Sequence, residues 1–328
     1  MTVINGIEID CIDYKVNDIK YAIKNNDPIE KKLNVIIVIS NPCLYATRYK
    51  LFNEFVKRLD DDDHVQLYIV EMIYKNQKYI VTQPNNKNHL QLKCDVPIWH
   101  KENMINLAVQ YLLPKKWKAV AWVDADIEFE NNSWALDTLK ILNGTKDIVQ
   151  VFSHCIDMHK DETTIQIFNG FGYSFCKNKK YTTKGVDYWH PGYAWAITRK
   201  AYEKLGGIYD KGILGSADSI IALSLIKKTK SFLNYNYDMG YKQSILEYEE
   251  KAKSLRLGYV PGIIRHFYHG TKQNRKYTER WQILIKHQFS PQNHLTYDSQ
   301  GIMVPTKECP EQFLEDIINY FKERKEDE

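Results

Sequence analysis

The residues Lys118-Ala119-Val120-Ala121-Trp122-Val123-Asp124-Ala125-Asp126-Ile127-Glu128-Phe129 decide the fold. They form a short apolar run that breaks into carboxylates at its C-terminal end. In an open α/β sheet, ligands collect beyond the carboxyl ends of the strands. A buried strand that delivers Asp, any residue, Asp at that edge presents both carboxylates on one side, because strand side chains alternate with period two. Two hard oxygen ligands at that spacing suit Mg²⁺ or Mn²⁺ shared with phosphate oxygens. Strand ends are also commonly acidic where they meet water, so the flanking sequence has to arbitrate.

Upstream, Val35-Ile36-Ile37-Val38-Ile39 is a continuous β-branched run, the pattern of a strand buried on both faces. Ser40-Asn41-Pro42 stops it. Tyr45, Tyr49, Phe52, Phe55, Val56 and Leu59 then recur at helical spacing, and Asp60–Asp63 ends that helix as a solvated turn. Val65–Met72 reads as a second strand. Strand, helix, strand at these lengths predicts a right-handed βαβ unit at the start of a parallel sheet. The polar Tyr74–Pro97 stretch predicts a long irregular loop, and Asn103–Leu112 a helix that Pro114 terminates.

Downstream, Trp134, Leu136, Leu139 and Leu142 predict a helix and Ile148–Phe152 a strand. After Phe152 aromatics and glycines crowd together, among them Phe168, Phe171, Tyr188, Gly192, Tyr193 and Trp195. They read equally well as platforms for sugar rings or as an aromatic core. Asp218–Lys227 and Tyr241–Leu255 predict helices, and Tyr259–Phe267 a strand running into His266-Phe267-Tyr268-His269-Gly270. Pro310–Lys325 carries one apolar stripe, Phe313, Leu314, Ile317, Ile318 and Phe321. It is expected to pack back on the body, because its polar face is acidic as well as basic.

Composition narrows the classes. The 328 residues can bury a large core, and 44% hydrophobic with 26% charged is ordinary for a soluble globular protein. A net charge of +4 is too small to argue for nucleic acid. No apolar stretch reaches the roughly 18 residues that a membrane span needs. The first residues mix Asp and Glu with apolar ones, unlike a signal peptide. Six scattered cysteines argue against both a zinc site and a disulfide framework, so a cytoplasmic protein is expected. The expected organisation is an N-terminal extension over 1–32, a main domain over 33–281, and a C-terminal extension over 282–328 with its amphipathic helix. The main domain divides into a nucleotide-binding half (33–152) and an acceptor and catalytic half (153–281).

Four pieces stand in order: Trp99-His100-Lys101-Glu102-Asn103-Met104-Ile105-Asn106; Val123-Asp124-Ala125-Asp126; His190-Pro191-Gly192-Tyr193-Ala194-Trp195-Ala196 through Gly215-Ser216-Ala217-Asp218; and Ile264-Arg265-His266-Phe267-Tyr268-His269-Gly270. Over roughly Leu33 to Trp281 the chain resembles the A-type (GT-A fold) nucleotide-sugar glycosyltransferases, in their galactosyltransferase-like and family-two-like branch. That resemblance implies an α/β fold with a mostly parallel, Rossmann-like sheet flanked by helices. It places Ser40, Asn41 and Pro42, with Arg48, around the nucleoside, and Lys101 and Asn106 on the helix lining its pocket. Asp124, beside Ala125, would face the ribose or the metal, and Asp126 would ligate the metal. His266 would complete the metal site, with His269 as the alternative, and Lys272 would meet the phosphates. Gly192, Tyr193, Ala194 and Trp195 would shape the sugar and acceptor pocket, and Asp218 would be the catalytic base.

The implied function is transfer of a sugar from a nucleoside-diphosphate sugar, by default a UDP-sugar, to an acceptor hydroxyl on a glycan or glycoside. The implied cofactor is Mn²⁺ or Mg²⁺. Asp218 on the face opposite the leaving group implies inversion. Asp218 could instead be only a helix N-cap. Two other readings remain open. A sugar-1-phosphate nucleotidyltransferase also places metal-binding carboxylates at a strand end, but would want a Gly-rich loop where this chain has Asn41-Pro42-Cys43-Leu44-Tyr45. A carbohydrate-binding protein that kept the fold and lost the chemistry is the non-enzymatic reading.

Overall fold

The structure, a computed structural model, describes Val3, Ile4, Ile7, Glu8, Asn17, Lys20 and residues 30–328 except 60–61, 184–186 and 278. The linker expected over Lys24–Lys32 lies mostly outside these residues. β1 (Val3–Ile4) and β2 (Ile7–Glu8) form a small antiparallel pair.

The β-branched run becomes β3 (Leu33–Ser40), buried along nearly its whole length. Helix Ala46–Leu59 follows, turning Leu51, Phe52, Phe55 and Leu59 inward, and leads to β4 (Val65–Tyr74). β4 runs parallel to β3 over eight residue pairs. The segment expected as a loop contains β5 (His89–Cys94), which extends the sheet parallel to β4. Its polar sequence hides it, because an edge strand is specified by a partner's free ladder and not by its own apolar pattern. Helix Lys101–Tyr111 then returns the chain to β6 (Ala119–Val123).

From here the chain works in two sheets. β6 stops at Val123, and after Asp124-Ala125-Asp126 the chain enters β7 (Ile127–Phe129) of a second sheet. Helix Trp134–Leu142 leads to β8 (Ile148–Gln150) in the main sheet, and β9 (His154–Met158) again lies in the second. β10 (Thr164–Gly170) and β11 (Trp189–His190) extend that second sheet, and β12 (Ala194–Thr198) returns to the first. The strand expected over Tyr259–Phe267 is two strands: β13 (Leu257–Tyr259) in the main sheet and β14 (Ile263–His266) in the second. Pro261-Gly262 breaks it, with Gly262 at φ +154°.

The main sheet has seven strands in the order β13-β8-β12-β6-β3-β4-β5, and β12 alone runs against its neighbours. The second sheet has five, in the order β11-β10-β9-β14-β7. Alternation sorts the core. Ile36, Val120 and Trp122 face one layer with helices Lys101–Tyr111, Ala217–Leu225 and Met239–Ala252. Val35, Ile37 and Ala121 face the other, with helices Ala46–Leu59 and Trp134–Leu142. The first layer also takes in Phe289, Met303, Phe313, Ile317 and Tyr320, so residues 282–328 share the main core. No helix among the described residues is long and apolar enough to cross a membrane.

Candidate active site

One cleft of about 800 Å³ opens where the main sheet hands over to the second. Its floor is built by the carboxyl ends of β3 and β6, as the sheet rule requires. The second sheet supplies the side walls. Pairing of β14 with β7 sets His266 opposite Ile127, and pairing with β9 sets it opposite Asp157. Register therefore gathers Asp126, Asp157 and His266 from distant stretches of sequence.

Asp126, His266 and His269 form a cluster whose ligand atoms all lie within 4.8 Å of one another. Asp126 Oδ2 stands 2.7 Å from His269 Nε2 and 3.7 Å from His266 Nε2, and the two Nε2 atoms are 3.3 Å apart. Burial presses the Asp126 pKa upward, but His269 and His266 outweigh it and hold the carboxyl well below its ordinary range. His266 Nδ1–H donates to Asp157 Oδ1 at 2.7 Å, which leaves Nε2 as the nitrogen aimed at the cluster. Lys272 pairs with the other Asp157 oxygen at 2.5 Å. Asp126 Oδ1 is buried without a hydrogen-bond partner. An orphaned carboxylate oxygen beside two convergent imidazole nitrogens fits a divalent ion. Imidazole donors favour Mn²⁺ over Mg²⁺, which prefers oxygen. His266 and its alternative His269 both reach this cluster.

Asp124 goes elsewhere. Its Oδ1 is 2.6 Å from Lys101 Nζ, and the same ammonium stands 3.7 Å from Asp218 Oδ2. The two aspartates of the Asp-x-Asp run thus divide, because Asp124 follows β6 and Asp126 leads into β7. Burial raises the Asp124 pKa to about 6, aided by Asp126 and Asp218 and opposed by Lys101. Burial also raises Glu102 to about 8. Asp218 sits in the first turn of helix Ala217–Leu225, whose N-cap position is held by Ser216 at φ +82°, so Asp218 is not the N-cap residue. Its carboxylate lines the cleft and faces Lys101.

Around Asp218 the wall is close. A Cβ on Gly192 would lie 2.9 Å from His190 Cε1 and 3.7 Å from Asp218 Oδ2. His190 stacks on Tyr193 at 4.2 Å between ring centres, and Tyr193 tilts against His266 at 4.6 Å. Tyr193 holds φ +82°, a strained conformation for a bulky residue and one that clusters at functional sites. Gly192 N–H donates to His190 Nδ1 at 3.1 Å, so His190 carries its proton on Nε2 when neutral. Burial, reinforced by His266, lowers its pKa to about 3.

The cleft brings together Ser40, Asn41, Pro42, Arg48, Lys101, Asp124, Ala125, Asp126, Gly192, Tyr193, Asp218, His266, His269 and Lys272. It leaves out three. Asn106 is a clamp within the fold: its amide donates to Ile208 O at 2.8 Å and accepts from Ile208 N–H and the Tyr202 hydroxyl. Ala194 and Trp195 are core residues of β12, and Trp195 Nε1–H donates to Pro191 O at 2.8 Å. Asn41 lines the cleft, but its amide is committed to Tyr45. Sequence reasoning missed Asp157, His190 and Glu326. A lone acid in the apolar run Cys155-Ile156-Asp157-Met158 was a readable signal; Glu326, in a charged tail, offered none.

No family profile and no curated protein matches this sequence. Among solved structures the chain is similar to the catalytic domain of Drosophila beta1,4-galactosyltransferase 7 in complex with xylobiose, at 10% identity over 88% of this chain and 99% of that one, TM-score 0.41. It is similar to a mannosyltransferase from Pyrobaculum calidifontis in complex with GDP-Man and Mn²⁺, at 12% identity over 82% and 68%, TM-score 0.39. It is also similar to a putative glucose-1-phosphate thymidylyltransferase from Bacillus anthracis, at 10% identity over 71% and 88%, TM-score 0.37. At such low identities and TM-scores, function has to be read from the cleft itself.

Proposed function

We propose that the chain is a metal-dependent glycosyltransferase that moves a sugar from a nucleoside-diphosphate sugar, by default a UDP-sugar, to an acceptor hydroxyl with inversion. One arrangement supports this above all: a metal-fitting trio, Asp126, His266 and His269, shares a single cleft with a helix-start carboxylate, Asp218. Bound there, Mn²⁺ would supply Lewis-acid neutralisation of the departing diphosphate. The chain's own groups do the rest. Ser40 and Pro42, at the end of β3, and Arg48, on helix Ala46–Leu59, line the cleft on the donor side of this reading. Arg275, buried against His269 with its Nη2 donating to His269 O at 3.4 Å, adds positive charge on the phosphate side.

Asp218 accepts the proton of the acceptor hydroxyl as that oxygen attacks the anomeric carbon. A positioned base of this kind contributes a factor of about 10²–10⁴. Lys101 stands 3.7 Å from Asp218 and fixes Asp124 beside it. Gly192 leaves room for the acceptor against His190 and Asp218.

The test is release of nucleoside diphosphate from a panel of UDP-, GDP- and dTDP-sugars with Mn²⁺, in the wild type and in Asp218→Asn. Turnover in the variant should fall by about 10² or more while donor binding persists. The product's anomeric proton should show the configuration opposite to the donor's; retained configuration, or an active variant, removes Asp218 from the mechanism. A nucleotidyltransferase would instead release pyrophosphate from a nucleoside triphosphate and a sugar 1-phosphate. The glycine-free loop after β3, with Asn41 locked on Tyr45, disfavours it.

A further inference from the structure

The last residues of the described chain return to the cleft. Glu326 is 1% exposed and lines it. Its carboxylate takes Arg48 Nε at 2.5 Å and Nη2 at 2.7 Å, and Arg324 Nε at 2.6 Å. His269 Nδ1 lies 3.8 Å away. Next to it, Asp327 accepts the backbone N–H groups of Ala46 and Thr47 at 3.0 and 2.9 Å, the first turn of helix Ala46–Leu59. The Tyr45 hydroxyl accepts Lys325 N–H at 3.1 Å and so ties the tail to the same loop. Two carboxylates thus sit where guanidinium groups and helix N–H groups would receive an oxyanion.

A separate feature of the same cleft points to an anionic ligand. Arg275 and Arg280 line it with side chains more than nine-tenths buried, and each has an Nε without a hydrogen-bond partner. Neither forms an ion pair among the described residues. Buried guanidinium groups are seldom left without an anion.

We propose that Glu326 and Asp327 are internal stand-ins for the phosphate groups of the nucleoside diphosphate, so that the tail Arg324–Glu328 occupies the donor site until those phosphates displace it. This rests on the glycosyltransferase reading for the identity of the displacing ligand, although any diphosphate can report the displacement. The site's apparent affinity is then reduced by the fraction of molecules whose tail is released. Releasing the tail would free Arg48, whose Nε and Nη2 both bind the Glu326 carboxylate.

The probe is inorganic pyrophosphate, titrated calorimetrically into the intact chain, into Glu326→Gln and into Asp327→Asn, each checked for folding by circular dichroism. Both variants should bind pyrophosphate more tightly, Glu326→Gln by about tenfold. In the wild type, pyrophosphate should accelerate trypsin cleavage after Arg324 and Lys325. Unchanged or weaker binding in the folded variants, or tail cleavage indifferent to pyrophosphate, overturns the proposal. If pyrophosphate releases the tail while no nucleotide sugar is turned over, the donor reading has failed and the stand-in has not.

Discussion

The metal-fitting trio depends on one carboxylate that is not part of it. Asp157 fixes the His266 ring through Nδ1–H, as a carboxylate behind a ligating histidine commonly does. Asp126→Ala, His266→Ala and His269→Ala should each remove measurable Mn²⁺ binding in calorimetry without substrate. Asp157→Asn should weaken it by about 10–100-fold, because the ligand remains but loses its orientation. If one histidine variant keeps wild-type affinity, that ring belongs to the wall and not to the metal. At this scale the sequence was half legible. Asp126 was marked by its strand end, whereas His266, His269 and Asp218 were named by the family resemblance, and the fold brings all four to one cleft. Asp124's turn towards Lys101 could not be, since it depends on the chain changing sheets between two residues. Asn106 misled, because an amide on a pocket-lining helix looks the same whether it faces the ligand or the next loop.

Elements were legible where periodicity was strong. β3 and helix Ala46–Leu59 fall where the β-branched run and the helical spacing place them. β5 and the three-to-five-residue strands β7, β9 and β14 were not separable, because pairing partners and not their own sequence define them. The C-terminal helix Glu311–Glu323 was foreseen as an amphipathic element packed on the body, and it buries Phe313, Ile317, Tyr320 and Phe321. Its closeness to the cleft was not foreseen. Phe313 is fully buried against Phe289 and His287. Phe313→Ala should cost about 3–5 kcal/mol in urea unfolding, the range for an aromatic truncated in a packed core. A cost under about 1 kcal/mol would mean that the helix is only loosely docked.

For the whole molecule, acid stability has a buried reporter. His100 is fully buried, donating from Nε2 to Met303 O at 2.8 Å and accepting the Tyr74 hydroxyl at Nδ1. Burial, despite those hydrogen bonds, lowers its pKa to about 4. The unfolded chain, near the ordinary 6.5, binds a proton that the folded chain refuses. The contribution is therefore complete above pH 6.5 and is lost as pH falls through about 4, about 3 kcal/mol in all. Urea unfolding across that window should show the slope, and His100→Gln should flatten it. An equally steep slope in the variant would assign acid lability to other groups.

The pairing of β14 with β7 carries a mechanical consequence. Asp126 leads into β7, whereas His266 ends β14 and His269 follows it, so an ion held by all three would fasten these two paired strands of the second sheet at one end. It would act as a rivet at the end of a ladder that pairs only three residues of each strand. Mn²⁺ at a hundred times its dissociation constant should stabilise the fold by about 2.7 kcal/mol and raise Tm, and a chelator should return it. Asp126→Ala should leave Tm indifferent to both. A strand pair held this way would be stiffest when loaded with metal, and the first edge to loosen when stripped of it.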